Sequence, residues 1–281
     1  MKDLAREFKV SQNRIVGLFG LSKGTLYYQA KGYPASRKST RTRIASQVAA
    51  VKAICRERPT YGIPRVKKIA ERDFSEKMSY HMTYAIMREN QLVIQKSAPN
   101  QSRREHTGKI AVEQPNTRWS SDITSIQLWN GTKAKFTYVL DCCDRTLISW
   151  RLGKHIQACD IEQMLQEAIF KRFPTPETKA LGLEFLHDNG PEYIEKKFRK
   201  QMIVWDVEDC HTPTYSPQSN GISEAFNGTF KRDYVYQGFL DDIETLKAQI
   251  GKWVEDYNTF APHSALNMNT PEEFFKLKIA A

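Results

Sequence analysis

Hydrophobic residues follow two different spacings in the second half of the chain. Runs rich in β-branched and aromatic residues, separated by turns such as Asn130-Gly131, predict an antiparallel meander of three strands. These runs cover residues 119–129, 134–144 and 146–153. Apolar residues at helical spacing then predict an amphipathic helix over 158–173.

Shorter segments continue this alternation toward the C-terminus. LEFLHD (183–188) predicts a buried strand, 191–202 a helix, and IVWDVE (203–208) a fifth strand. The turn-rich loop SPQSNG then leads into a helix that contains Glu224. The order β-β-β-α-β-α-β-α predicts an α/β fold, a five-stranded mixed sheet flanked by helices.

The first part of the chain shows only helical patterns. Residues 10–30 predict two short helices with helix-turn-helix proportions. Residues 44–57 predict a longer helix, which RPTYGIP interrupts before a basic helix near 65–70 and a third helix from about Ser79. This order is typical of a small DNA-binding bundle, and a three-helix bundle with a basic surface and no DNA partner would show the same pattern.

The changes in pattern divide the chain into five segments. We predict an N-terminal helical arm, a helix-turn-helix-like DNA-binding domain, a basic linker, an α/β core and a C-terminal helical extension. Their bounds are 1–43, 44–94, 95–117, 118–236 and 237–281.

Charge is distributed unevenly over these segments. Residues 1–118 hold 24 of the 42 Lys and Arg and 9 of the 32 Asp and Glu, a formal charge of +15, which leaves −5 for residues 119–281. A basic half of this size is typical of a module that binds a polyanion. Solubility alone would also explain it.

Other features limit the class of protein. No stretch approaches the roughly 20 apolar residues of a membrane span, and the N-terminus MKDLAREFKV does not resemble a signal peptide. We therefore expect a cytoplasmic protein with no membrane partner. The cysteines are odd in number and form no C-x-x-C pair, so we expect them to be reduced and structural: Cys55, Cys142, Cys143, Cys159 and Cys210.

Three acidic residues stand out by their positions. Asp122 lies inside the first predicted strand, where an ionised carboxylate is costly unless it is paired or binds a metal. Asp188 ends the fourth strand, and Glu224 lies early in the helix after the turn-rich loop. These acids converge if the first and fourth strands are neighbours and the helix packs across them.

Such a cluster needs a cation, and carboxylate oxygens suit Mg²⁺ or Mn²⁺. Two such ions, roughly 3.5–4 Å apart, support chemistry at a phosphodiester. The alternative for Glu224 is an acid that complements the helix dipole, worth roughly 0.3–1 kcal/mol.

Other candidate ligands are weaker. A turn at the end of a strand explains Asp141 and Asp144. His187 has either an outer-sphere role at the metal or none. His211 and His263 are isolated histidines without ligand spacing, so no zinc site is predicted.

Three stretches around the acids, WSSDITSI, FLHDNGPEY and SPQSNGISEAFNGTFKRDY, resemble the catalytic blocks of bacterial insertion-sequence transposases, within the retroviral integrase superfamily. The resemblance implies a ribonuclease H-like catalytic core over 118–236, in which Asp122, Asp188 and Glu224 bind two Mg²⁺ or Mn²⁺ ions. In that family 35 residues separate the second Asp from the Glu, as they do here, and a base follows the Glu by seven positions, where this chain has Lys231.

Further blocks extend the resemblance over about residues 44–276. RPTYGIPRV resembles the helix-turn-helix block of the insertion-sequence family whose transposase is encoded in two overlapping frames. HTGKIAVEQPNTRWSSD and TYVLDCCDR resemble a family member of enteric bacteria, and YNTFAPHSALNMNTPEEFF resembles the C-terminal block. Ala261 replaces an Arg that is usual there, which predicts the loss of a phosphate or carboxylate contact.

The resemblance implies the downstream-frame product of such an element, a DNA transposase catalytic subunit that cleaves a DNA strand and transfers its 3′-hydroxyl to another phosphate. Expected partners are the ends of the element, target DNA, an upstream-frame product or frameshift fusion, and further copies of the chain. The expected location is the bacterial cytoplasm, on the nucleoid when DNA is bound. A non-catalytic DNA-binding regulator and a ribonuclease H-like nuclease without joining activity are the alternatives.

Candidate DNA contacts come from the basic helices, the linker and the catalytic helix. They are Lys231, Arg232, Asn220, Arg65, Lys67, Lys68, Arg88, Arg103 and Arg104.

Overall fold

A computed structural model describes residues 45–94, 112–174, 182–188, 190–211 and 221–280. The predicted helices at 10–30, most of the linker, and the candidate DNA contacts Arg103, Arg104 and Asn220 lie outside these ranges.

Three helices form the first described region, as the sequence predicts. They are α1 (Ala45–Glu57), α2 (Ile63–Asp73) and α3 (Tyr80–Glu89). Proline occupies the first turn of α2, where its missing N–H costs nothing. The Ser79 hydroxyl caps α3 by accepting a hydrogen bond from the Met82 amide at 3.2 Å. Apolar residues of the three helices, Val51, Ile54, Val66, Ile69 and Ile86 among them, share one buried core.

The predicted mixed sheet is confirmed, with the strand order β3-β2-β1-β4-β5. Its strands are β1 (Arg118–Gln127), β2 (Lys133–Asp141), β3 (Leu147–Gly153), β4 (Leu183–His187) and β5 (Val207–His211). The first three form the antiparallel meander. β4 pairs in parallel with both β1 and β5. The carboxyl ends of these three strands therefore lie at the same end of the sheet.

Helices cover both faces of the sheet. They are α4 (Ala158–Arg172), α5 (Lys196–Val204), α6 (Gly221–Asp233), α7 (Ile243–Thr259) and α8 (Pro271–Ile279). Alternation along β2 separates the two cores, because successive side chains of a strand point to opposite faces. Val139 packs with residues of α4 and α5, whereas Phe136 and Tyr138 pack with residues of α6 and α7.

The predicted fifth strand at 203–208 is wrong in its bounds. Ile203 and Val204 form the last turn of α5, where their side chains are 77% and 74% exposed. Asp206 then adopts a left-handed conformation with φ 60°, and the strand begins only at Val207. Two β-branched residues suggested a strand, but the helix continued through them.

The helical region packs directly on the C-terminal part of the chain. Arg58 donates two hydrogen bonds to the Asp256 carboxylate on α7. Arg72 donates to the carbonyl oxygen of Phe260 at 2.9 Å and lies 4.3 Å from the centre of its ring. These contacts fix α1 and α2 against the core.

None of the helices within the described ranges is long and apolar enough to cross a membrane. All five cysteines are free. Burial raises the pKa of the Cys142 thiol to about 12, which leaves it a poor nucleophile.

Candidate active site at β1, β4 and α6

The strand pairing brings the two predicted aspartates together. Ser120 on β1 is aligned with Leu186 on β4 in the parallel register. Asp122 and Asp188 each follow two residues later, so they are neighbours on the same face of the sheet. Asp188 is exposed just beyond β4, and Asp122 is half-buried within β1.

Aromatic packing holds α6 across this face. Tyr138, the cross-strand partner of Asp122, donates a hydrogen bond from its hydroxyl to the carbonyl oxygen of Ser223 at 3.3 Å. Its ring centre lies 4.3 Å from that of Phe226. The first turn of α6 is therefore fixed on β2, next to Asp122.

Glu224 lies in that first turn and is exposed. Asn227, one turn later, donates a hydrogen bond from Nδ2 to Oδ2 of Asp122 at 2.8 Å. Residues three apart share a face of a helix, so Glu224 is on the face that meets Asp122. The sequence reasoning missed Asn227, because a carboxamide in a helix gives no signal of its own.

The electrostatics of the site favour a bound cation. Burial raises the pKa of Asp122, and the negative charge of Asp188 raises it further. The Ile123 amide, the Asn227 side chain and the charge of Lys231 act in the opposite direction without cancelling the rise. Two neighbouring carboxylates that form no ion pair within the described ranges, and that offer oxygen ligands, fit Mg²⁺ or Mn²⁺.

Lys231 lies on the same helix face, two turns after Glu224. It is half-buried, and burial lowers the pKa of its ammonium while the nearby charge of Asp122 opposes that change. The structure thus places this predicted DNA contact beside the acids.

The turn after β4 is shaped around Asp188. The Gly190 amide donates to Oδ1 of Asp188 at 3.0 Å. A side-chain carbon at position 190 would lie 3.0 Å from the same oxygen, so a larger residue there would push the Asp188 carboxylate aside by a few tenths of an ångström.

A buried histidine supports this strand end. His187 Nδ1 lies 2.6 Å from the carbonyl oxygen of Asp188, and its ring stacks on Tyr193 with centres 4.6 Å apart. The Tyr193 hydroxyl is in turn hydrogen-bonded to Ser121 Oγ at 2.7 Å. His187 therefore contacts the backbone of Asp188 from behind the sheet, which the sequence could suggest only by their adjacency.

Several candidate DNA contacts have partners inside the protein. Arg65 forms an ion pair with the buried Asp233 at 2.6 Å. Arg232 pairs with the same carboxylate at 2.7 Å, and Lys67 pairs with Glu71 at 2.6 Å. Lys68 and Arg88 form no ion pair with any residue that the structure describes.

The second acid pair, Asp141 and Asp144, has the structural role predicted for it. Asp141 accepts hydrogen bonds from the amides of Cys143 and Asp144 at 2.7 and 3.1 Å, which closes the turn after β2. Asp144 pairs with Arg172 at 3.0 Å. Both acids are fully buried.

Comparisons with known proteins agree with this geometry. An integrase core domain model matches residues 112–217, and a second integrase core domain model matches residues 206–271. The fold is shared by one chain of a solved structure, the simian T-cell lymphotropic virus intasome in complex with PP2A regulatory subunit B56 gamma. The TM-score is 0.51 and the sequence identity 17%, over 80% of this chain and 74% of that chain. Fold and site thus define an integrase core-domain protein.

Two curated relatives narrow the class. Transposase InsD for insertion element IS2, from Escherichia coli, is 32% identical over 246 residues, which cover 85% of this chain and 81% of the relative. An uncharacterized protein of insertion element IS136, from Agrobacterium fabrum (strain C58), is 37% identical over 189 residues, 66% of this chain and 96% of the relative. The chain belongs to the insertion-element transposases.

Proposed function

We propose that this chain is the catalytic subunit of a transposase that carries out metal-dependent DNA strand cleavage and strand transfer for an insertion sequence. The proposal rests on one observation above all. Asp122 on β1 and Asp188 just beyond β4 lie at neighbouring positions, form no ion pair with any residue that the structure describes, and lie under the helix that carries Glu224.

Each residue of the site has a chemical role in this proposal. Asp122, Asp188 and Glu224 would hold two divalent cations. Such ions, when bound, polarise a phosphate and lower the pKa of an oxygen nucleophile. Asn227 holds the Asp122 carboxylate in one orientation through its 2.8 Å hydrogen bond. Lys231 binds a DNA phosphate beside the acids.

The DNA path extends beyond the site. Lys68 and Arg88 remain candidate phosphate contacts because no described residue pairs with them. Arg103, Arg104 and Asn220 remain predictions from the sequence. The internal pairs of Arg65, Arg232 and Lys67 favour a structural role for these three residues. Two DNA ends must be handled together, so we expect the chain to act as a dimer or larger assembly, with an upstream-frame product as partner.

A strand-transfer assay tests the proposal. The full chain, with and without the upstream-frame product, is incubated with Mg²⁺ and labelled DNA carrying the element's terminal repeats. We expect cleaved strands and joined products, both dependent on Mg²⁺. Asp122→Asn should remove both.

The alternatives give different products. Cleaved strands without joined products would support a nuclease. DNA binding with neither product, unchanged by Asp122→Asn, would support a non-catalytic regulator and refute the proposal.

A further inference from the structure

A second group of ligand-type side chains lies on the opposite face of the sheet from the catalytic acids. Within the parts of the chain that the structure describes, His187, Asp209 and His211 each offer one ligand atom, and these atoms lie within 4.8 Å of one another. His187 and His211 are aligned on β4 and β5. Asp209 lies two residues before His211 and so shares its face.

The face can be assigned from neighbouring contacts. His187 packs on Tyr193, which belongs to the core beneath α4 and α5. Asp122 instead contacts Asn227 of α6. The histidine group is therefore separate from the proposed magnesium site, although it adjoins the same strand end.

The hydrogen bonds of His187 leave one nitrogen in need of a cation or a proton. The carbonyl oxygen of Asp188 can only accept, so at 2.6 Å Nδ1 must donate its hydrogen to it. In the neutral ring Nε2 then carries a lone pair, and this lone pair faces Oδ1 of Asp209 at 2.8 Å. Two acceptors at that distance repel each other unless a positive centre lies between them.

The remaining geometry brings a third ligand atom to the same carboxylate. Oδ1 of Asp209 also lies 3.2 Å from Nδ1 of His211. Ligand atoms about 2.0–2.1 Å from a tetrahedral ion are roughly 3.3 Å apart, so the 3.2 Å separation matches an edge of such a shell, and the 2.8 Å separation would widen by about 0.5 Å when the ion binds. Donation from the second ring nitrogen of His187 to a backbone carbonyl is the usual outer-sphere support of a metal-binding histidine.

We propose that His187, Asp209 and His211 bind a borderline transition-metal dication such as Zn²⁺. Two imidazole nitrogens and one carboxylate suit this class of ion, whereas Mg²⁺ prefers oxygen ligands alone. The side chains of Asp209 and His211 are 25% and 35% exposed, which gives the ion a route from solvent. The bound ion would tie β4 to β5 directly behind Asp188.

Arg199 competes for the same ligands. Its Nε lies 3.2 Å from Oδ2 of Asp209, and one of its terminal nitrogens lies 3.4 Å from Nε2 of His211. A guanidinium so close weakens the attraction of the carboxylate for a dication. The side chain is 40% exposed, so it can move into solvent when the ion binds.

Metal titrations of the full chain, without DNA and with a reducing agent present, test this proposal. We expect one Zn²⁺ per chain by calorimetry in the presence of excess Mg²⁺, and Co²⁺ should give the visible absorption of a tetrahedral site. His211→Gln should weaken binding by more than the roughly 10–100-fold typical of an outer-sphere change. Arg199→Ala should tighten it, an effect that a simple salt-bridge network would not produce.

Three matched variants serve as controls. His155→Gln changes an exposed histidine elsewhere, Cys210→Ser changes the neighbouring residue on β5, and Asp122→Asn changes the catalytic site; all three should keep Zn²⁺ binding. If wild type binds no Zn²⁺, or if His211→Gln binds as tightly as wild type, the proposal is wrong and a proton occupies the space between His187 and Asp209. These readouts do not depend on transposase activity.

Discussion

Two pairs of aspartates in the described part of the chain, Asp141 with Asp144 and Asp122 with Asp188, have opposite surroundings. Asp141 accepts four hydrogen bonds, from the amides of Asn116, Cys143 and Asp144 and from the Trp119 indole. A carboxylate has about four acceptor sites, so this one is saturated by the protein. Its partner Asp144 is neutralised by the buried guanidinium of Arg172.

The proposed catalytic pair, Asp122 and Asp188, has acceptor sites that the described residues leave unfilled; we call it the incomplete pair. Asp122 accepts two hydrogen bonds, from the Ile123 amide and the Asn227 side chain. Asp188 accepts one, from the Gly190 amide, among the residues the structure describes. Burial raises the pKa of both Asp122 and Asp141, the latter to about 6, so burial alone does not distinguish the pairs. The two pairs are distinguished instead by their acceptor sites, because those of Asp122 and Asp188 are left open to an incoming ion.

The largest expected effect is on catalysis. Asp122→Asn should lower strand transfer by far more than the roughly 10–100-fold of an outer-sphere change, because it removes a proposed metal ligand. Its unfolding free energy should stay within about 0.5 kcal/mol of wild type or rise, since a buried like charge is removed. Strand-transfer assays and urea denaturation measure the two quantities. A large loss of stability would mean that Asp122 is structural, as Asp141 is.

For Asp141 and Asp144, the saturated pair, we expect the opposite result: a loss of stability without a loss of activity. Asp144→Asn leaves the buried Arg172 without its counter-ion, which should cost about 3–5 kcal/mol of stability. Activity per folded molecule should not change. Asp241→Asn, at an exposed loop position, is the matched control and should stay within about 0.5 kcal/mol in the same urea titration. Equal stability of the two variants would contradict the distinction between the pairs.

Local pattern was enough to predict much of this architecture. Enrichment in β-branched and aromatic residues over 119–129 and 134–144 identified the strands that became β1 and β2, because such side chains pack well in a buried strand. The position of Asp122 within such a run made it a candidate ligand. The approach of Asp122 to Asp188 then follows from the pairing of β1 with β4 alone.

Contacts set by register or by docking could not be predicted in this way. The approach of His187 to Asp209 depends on the pairing of β4 with β5, and β5 is a polar edge strand that the pattern placed too early. The basic residues are a second case. Arg65 and Lys68 look alike in sequence, but Arg65 meets the buried Asp233 only because α2 packs on the end of α6.

Divalent cations should stabilise the incomplete pair specifically. Mg²⁺ at about 100 times its dissociation constant should raise the unfolding free energy of wild type by about 2.7 kcal/mol for each ion bound, because the ions bind the folded state alone. Thermal denaturation with and without Mg²⁺ measures this shift. It should vanish in Asp122→Asn and persist in Asp241→Asn, and a shift that survives in Asp122→Asn would place the ion elsewhere.

The smallest effect concerns Lys231 and Arg232, two adjacent bases on α6. Like the two aspartate pairs, they differ in whether the protein itself supplies a partner. Arg232 is paired with Asp233, whereas Lys231 stands beside the incomplete acids with no ion pair among the described residues. Lys231→Ala should lower the slope of log binding constant against log salt by about 0.9, the value for one phosphate contact on duplex DNA. Arg232→Ala should leave that slope unchanged and cost no more than about 1 kcal/mol of stability, since its side chain is 52% exposed. Binding titrations at several salt concentrations decide between them. An equal decrease in both variants would show that an internal partner does not keep a base from DNA, and the structural role favoured above for Arg65 and Lys67 would lose its support as well.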